Sequence, residues 1–187
     1  MRVDSIEIEP AMVEGSRLMM QRVYRAFDDP RSALHIDDAR TFFSTGRRRY
    51  DVIVSEPSNP WVSGVGSLFT RQFYEFLGTH LEDDGILIQW VHTYELDNAL
   101  LATMLAALGE EFAHVDFYQA NQGDLILAAS RQPLPSASFP AGPDIDFAVE
   151  MMRVGLGGAG DFEVRRLGDR RLLDTLVRMT GVSPHDD

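Results

Sequence analysis

Apolar positions along the chain switch between a two-residue and a 3.6-residue rhythm, the periods of strand and helix. Residues 3–9 alternate apolar and charged side chains and stop at Pro10, after which Met12, Val13, Leu18, Met19, Val23 and Phe27 recur at helical spacing. A strand and one helix are predicted, the helix breaking at Asp28-Asp29-Pro30. Residues 33–36 read as a short strand, and Asp37-Asp38 as potential caps for a helical run through Phe42 and Phe43. Residues 50–54 are an apolar, β-branched run suited to a strand buried on both faces, and Ser55-Glu56-Pro57-Ser58-Asn59-Pro60 is loop chemistry. Ser67 is the expected cap of a helix through Phe69, Phe73, Phe76 and Leu77, and Asp83-Asp84-Gly85 the expected turn into a strand at 86–90. Residues 95–108 carry Leu96, Leu100, Met104 and Leu108 on one stripe and predict a helix closing at Gly109. The strands at 113–118 and 125–129 have no helix between them, so they predict an antiparallel hairpin joined through residues 119–124.

Strands alternating with helices imply a doubly wound α/β fold on a mostly parallel sheet, to which the closing hairpin adds an antiparallel strand. Residues 1–130 are expected to form this domain, 131–144 a linker rich in Pro, Ser and Ala, and 145–187 a helical appendage with amphipathic segments at 145–156 and 169–179. The glycines at 155, 157, 158 and 160 follow no strand, so they read as a helix stop and turn, not a phosphate cradle.

In open α/β sheets ligands bind beyond the carboxyl ends of the strands, and three such ends here are acidic: Glu7 with Glu9, Asp37 with Asp38, and Glu56. A carboxylate after the second strand of a nucleotide-binding unit can accept both ribose hydroxyls, and one after the next strand can meet an adenine amino group. The same residues also stand where helix caps are favourable, each worth about 0.5 to 2 kcal/mol. Only two residues precede Val3, so the strand and glycine turn that would hold the rest of such a ligand are expected to be missing.

Composition narrows the chemistry. The 187 residues are 44% hydrophobic and 25% charged and contain no cysteine, which rules out disulfides, thiolate metal sites and cysteine nucleophiles. No metal site is expected either, because His35, His80, His114 and His185 show no ligand spacing. The net charge of -12 disfavours a nucleic-acid partner and attracts cations. No apolar run approaches the roughly 18 residues needed to cross a bilayer, and the alternating start has no h-region, so a cytoplasmic chain is expected.

Ile6-Glu7-Ile8-Glu9-Pro10, His35-Ile36-Asp37-Asp38-Ala39-Arg40, the run from Tyr50-Asp51-Val52 to Pro60, Ser67-Leu68-Phe69 and Phe73-Tyr74, in that order, resemble the polyamine aminopropyltransferases, the spermidine synthase family. The likeness is nearest to bacterial spermidine-synthase-like domains fused to membrane segments, and it spans about residues 3–130. It implies a Rossmann-like, methyltransferase-like fold with no prosthetic group. The co-substrate would be decarboxylated S-adenosylmethionine, or S-adenosylmethionine itself, and a polyamine such as putrescine would attack the aminopropyl carbon. Carried over by position, Glu7, Asp37, Asp38 and Ser55 would bind the donor, Glu7 at the ribose and Asp38 at the adenine amino group. Glu56 stands where the family has its catalytic Asp, and Asn59 where many members have a second Asp; Asn59, Gln89 and Tyr118 would face the acceptor.

Two departures matter. Glu56 adds a methylene, a shift of about 1 Å that can cost on the order of 100-fold, and Asn59 lacks the charge that attracts an ammonium group. The tyrosine-containing loop that closes over the diamine is not recognisable in residues 119–124, where Tyr118 is the nearest candidate. Trp90, His92 and Tyr94 end the same strand as Gln89; Trp90 also reads as core and His92 as a surface loop residue. The chain is therefore expected to be a half-site that does not turn over by itself, the soluble part of a longer parent. Two alternatives remain: a methyltransferase of the same fold, or a non-catalytic binding or oligomerisation module. The exposed sheet edge would favour a homo-oligomer.

Overall fold

The computed structural model describes residues 1–57, 64–94, 96–136 and 145–187, side chains of 20–23, 145 and 146 excepted. The chain divides into two compact units, Met1–Arg48 and Arg49–Asp187.

In the first unit β1 (Val3–Glu7) and β2 (Ser32–Ile36) pair in parallel, with Val3 opposite Ser32 and Glu7 opposite Ile36. The expected single helix is two, α1 (Pro10–Arg17) and α2 (Met20–Asp28). Gly15 weakens the end of α1, and the Ser16 hydroxyl donates to the Val13 carbonyl at 2.9 Å, a back-bond that competes with helix continuation. α3 (Ala39–Thr45) follows β2 and buries Phe43. Asp4 of β1 has its side chain 2% exposed, held by Arg48 and by His35 Nε2 at 3.1 Å. A carboxylate this buried requires such partners.

The second unit is built on a five-stranded sheet in the order β3-β4-β6-β5-β7. These are β3 (Tyr50–Ser55), β4 (Leu81–His92), β5 (His114–Asn121), β6 (Asp124–Ser130) and β7 (Arg166–Gly168). Only β3 and β4 pair in parallel; the β4–β6, β5–β6 and β5–β7 ladders are antiparallel. The α/β class and the hairpin are as expected, while the balance of the sheet is not: β6 returns from the hairpin into the place between β4 and β5, so three ladders reverse. Alternate residues Leu87, Gln89 and Val91 of β4, Val115 and Phe117 of β5, and Leu127 and Ala129 of β6 are buried. Helices α4 (Arg71–Thr79), α5 (Asn98–Glu111) and α8 (Arg170–Thr180) add Phe73, Tyr74, Leu77, Leu105, Leu108 and Leu173 to that core. The reading of residues 50–54 as buried on both faces is corrected: Ile53 is buried, whereas Val52 and Val54 are 50% and 58% exposed. β3 is the outer strand of its sheet, and Val52 and Val54 alternate with the buried Ile53 on its other face.

Three local expectations also change. Thr70, not Ser67, caps α4, its hydroxyl accepting from Phe73 N at 3.3 Å; residues Val65–Phe69 form a 3-10 turn before it. β4 begins at Leu81, and Gly85 lies in a bulge inside it, where a Cβ would come within 3.0 Å of the Tyr50 carbonyl oxygen. α5 is capped by Asp97 and runs past Gly109 to Glu111.

The compact domain does not close near Ser130. β7 adds to the edge of the sheet, and α8 packs on α5 at Gly109, where a Cβ would lie 3.0 Å from Leu173 Cδ2. Arg170 Nη1 donates to the Gly109 and Phe112 carbonyls at 2.9 and 2.8 Å, satisfying acceptors that the end of a helix leaves open. Even the tail is tied: His185 N donates to Thr103 O at 3.0 Å, and Thr70 Oγ1 to Asp187 Oδ1 at 2.8 Å. Helices α6 (Ile145–Arg153) and α7 (Ala159–Arg165) flank the glycine run, where Gly155 takes a left-handed φ of 76° as the helix stop requires.

Candidate functional site

In the first unit the parallel register brings three candidate carboxylates to one end of one sheet. Asp37 N donates to the Glu7 carbonyl at 3.1 Å, which places Asp37 beside Glu7 where both strands stop. Each side chain anchors the local backbone through one oxygen: Glu7 Oε1 accepts from Glu9 N, Asp37 Oδ1 from Asp38 N, and Asp38 Oδ1 from Thr41 N, all at 2.9 Å. The capping role weighed from the sequence is therefore present at Asp38, and Glu9 caps α1 in the same way through Ala11 N. The second oxygens of Glu7, Asp37 and Asp38 have no partner among the described residues. Fixed side chains with open acceptor oxygens suit ligand hydroxyl and amino donors.

In the second unit Ser55, the last residue of β3, is opposite Gln89, three residues before β4 ends at His92. Gln89 is fully buried, and its Nε2 donates to Ser55 O at 3.2 Å and Trp90 O at 2.9 Å. Its Oε1 is buried without a partner, an arrangement that costs about 1–3 kcal/mol unless something donates to it. Glu56 is exposed just beyond Ser55 and has no hydrogen-bond partner among the described residues. Asn59 lies outside the described residues.

Tyr118 stands within β5, not in the turn. Ile126 of β6 is opposite both Trp90 and Tyr118, so these three form one row across the sheet. Burial, and then the charge of Asp116, push the Tyr118 phenol above its ordinary range; its hydroxyl is 3.4 Å from Asp116 Oδ2. Asp116 in turn binds Arg166 of β7 through two contacts, at 3.1 and 2.7 Å. Tyr118 is thus engaged with the outer ladder, while Ser55 and Gln89 are brought together.

Asp124 carries no signal in the sequence that marks it as a site residue. It faces His92 in the β4–β6 ladder, and His92 Nδ1 is 2.7 Å from Asp124 Oδ1. The hairpin was predictable, but the pairing of β6 with β4 was not, and only that pairing brings the two residues together. Among the described residues no three His, Asp or Glu side chains converge as a metal site, and no helix is long and apolar enough to cross a membrane.

Residues 1–122 match the family model described as the spermine/spermidine synthase domain. A polyamine aminopropyltransferase of Nitrosomonas europaea is 30% identical over 118 residues, which is 63% of this chain and 36% of that protein. The chain thus spans about a third of that relative's length. Spermidine synthase from Thermotoga maritima superposes with a TM-score of 0.65 at 17% identity, covering 95% of this chain and 60% of that one. A spermidine synthase in complex with the transition state analogue AdoDATO gives 0.69 at 18% identity, with 95% and 62% covered. The structural likeness establishes a shared α/β fold, and the match over residues 1–122 establishes that the chain belongs to the spermine/spermidine synthase family.

Proposed function

We propose that the chain is an aminopropyltransferase domain that moves an aminopropyl group from decarboxylated S-adenosylmethionine to a polyamine acceptor. The observation that carries the reading is the set of open carboxylate oxygens on Glu7, Asp37 and Asp38 at one sheet end, within residues that match the family. Glu7 would accept from the ribose hydroxyls and Asp38 from the adenine amino group, with Asp37 beside them.

The acceptor nitrogen must be neutral to attack, yet an amine is mostly protonated at pH 7. Glu56, exposed and unengaged, is the group that takes this proton. The nitrogen lone pair then forms the C–N bond as the C–S bond breaks, the sulfonium electron pair returns to sulfur, and methylthioadenosine leaves. Asn59, Gln89 and Tyr118 are the proposed acceptor contacts. Tyr118 requires its hydroxyl to exchange Asp116 for the amine, and Gln89 can present its buried Oε1 only if the strand ends part.

The test is binding and turnover in one protein: methylthioadenosine affinity by calorimetry, and aminopropyl transfer to a panel of di- and triamines. Methylthioadenosine binding is expected of the chain alone, and transfer to at least one amine where it is joined to the rest of the enzyme, because the chain spans about a third of its relative's length. Tighter binding of S-adenosylmethionine than of its decarboxylated form, without transfer, would move the assignment to a methyltransferase. Binding of neither would leave a family fold without this chemistry.

A further inference from the structure

A second cluster gathers where β4 leaves its sheet. The turn after β5 brings Asp124 opposite His92, 2.7 Å from its Nδ1. A carboxylate only accepts, so Nδ1 carries the hydrogen and donates; in the neutral ring Nε2 is the lone-pair acceptor. Nε2 has no partner among the described residues. Asp124 is itself held in place: its Oδ2 accepts from Asn121 Nδ2, and Asn121 Oδ1 accepts from Gly123 N at 2.8 Å. Thr93 N donates to Gly123 O at 2.8 Å, which fastens the same turn to the end of β4. Turn, carboxylate and imidazole therefore form one hydrogen-bonded chain that fixes the ring.

The surroundings of that ring are aromatic. The Trp90 ring lies 3.9 Å from His92 and the Tyr94 ring 4.8 Å from it, centroid to centroid. The His92 and Asp124 side chains are each 15% exposed, sheltered enough to limit screening yet open to a ligand. Among the described residues no arginine pairs with either side chain. The chain contains no lysine, so no internal ammonium group competes for the place.

We propose that Trp90, His92, Tyr94 and Asp124 form a binding subsite for the ammonium group of an alkyl amine. The ammonium donates to His92 Nε2, the carboxylate of Asp124 behind the ring offsets its charge, and the faces of Trp90 and Tyr94 take the charge and the adjoining methylenes. The inference rests on the amine-acceptor reading above and gives that acceptor a second point of attachment. Ser55, the residue before Glu56, is opposite Gln89, and His92 is three residues beyond Gln89 along β4, about 10 Å. Glu56 and His92 therefore address different nitrogens of one polyamine. The turn that in the family resemblance should carry a closing tyrosine here carries Asn121 and Asp124 instead, and a held imidazole takes over the grip on the amine.

The experiment titrates putrescine, n-butylamine and the neutral 1-butanol into the protein while the His92 ring nitrogens are followed by NMR. Both amines should shift Nε2 saturably, and 1-butanol should not. His92→Phe keeps a ring and removes the acceptor, so amine affinity should fall at least about 10-fold, the loss of one charge-assisted hydrogen bond. Asp124→Asn should weaken it in the same direction, with methylthioadenosine affinity and melting temperature unchanged in at least one of the two variants. Equal binding of 1-butanol, or full amine affinity in a folded His92→Phe protein, would overturn the subsite. If methylthioadenosine binds and amine binding depends on Glu56 but not on His92, the subsite fails and the acceptor reading stands. If neither ligand binds the unaltered protein, both fail.

Discussion

Replacing Asp38 by asparagine separates its two roles. In the folded chain one carboxylate oxygen accepts from Thr41 N at 2.9 Å and caps α3, while the other has no partner among the described residues. Asparagine caps about as well as aspartate, so its single oxygen takes the Thr41 contact and α3 is kept. Losing the negative charge near the helix start costs about 0.3–1 kcal/mol. The group left pointing to the ligand is then an NH2, a donor where the proposed adenine amino group is also a donor. A charge-assisted hydrogen bond worth about 1.5–3 kcal/mol is lost, so methylthioadenosine should bind about 10- to 100-fold more weakly. Asp38→Ala should lose the same binding and a further 0.5–2 kcal/mol or so of cap stability. Calorimetric titration with methylthioadenosine, paired with thermal melting of both variants, reads the two effects separately. Wild-type affinity in Asp38→Asn would refute the ligand role, and Asp38 would then be a helix cap only.

The other expectations concern the core, the base and alkaline pH. Leu173→Ala removes a side chain that is 2% exposed on α8 and should cost about 3 kcal/mol, lowering the melting temperature by roughly 10 °C; an unchanged midpoint would mean that α8 is not part of the core of its unit. Glu56→Ala should lower aminopropyl transfer by about 10²- to 10⁴-fold while leaving methylthioadenosine affinity intact, and unaltered turnover would remove Glu56 as the base. Tyr74 is fully buried, and burial pushes its phenol above the ordinary range. An unfolded tyrosine ionises near pH 10, so the stability tied to Tyr74 is complete below about pH 10 and falls as pH rises beyond it. Urea midpoints should decline over that alkaline range and decline less in Tyr74→Phe; the chain contains no lysine to confuse the comparison, and identical slopes would refute it.

The short-range features were legible from the residues alone. Pro10, Asp38 and Asp97 mark helix starts through chemistry confined to a few neighbouring residues, although the Asp97 start was displaced by the expectation of a helix from residue 95. The carboxylates at the ends of the first two strands were readable for the same reason, because parallel strands that precede helices all end on the same side. The misplacements share a cause. Thr70 displaced Ser67 as a cap because a 3-10 turn intervenes, and Gly109 looked like a helix stop because the chain alone does not show Leu173 pressing on it. Val52 and Val54 have the composition of a doubly buried strand, yet burial depends on what lies over the strand and not on its own side chains.

Periodicity and capping residues were enough for the α/β class and the candidate carboxylates, which are written in local spacing, and the ordered motifs from Ile6 to Tyr74 carried the family resemblance. Only the folded chain decided that β6 lies between β4 and β5, that α8 and β7 complete the second unit, and that Asp124 meets His92. Each of those outcomes joins residues 30 or more positions apart, like His92 and Asp124 at 32. Pairing over such separations is settled by which apolar faces can be covered together and which backbone groups are left to satisfy, a global competition that no window of sequence contains.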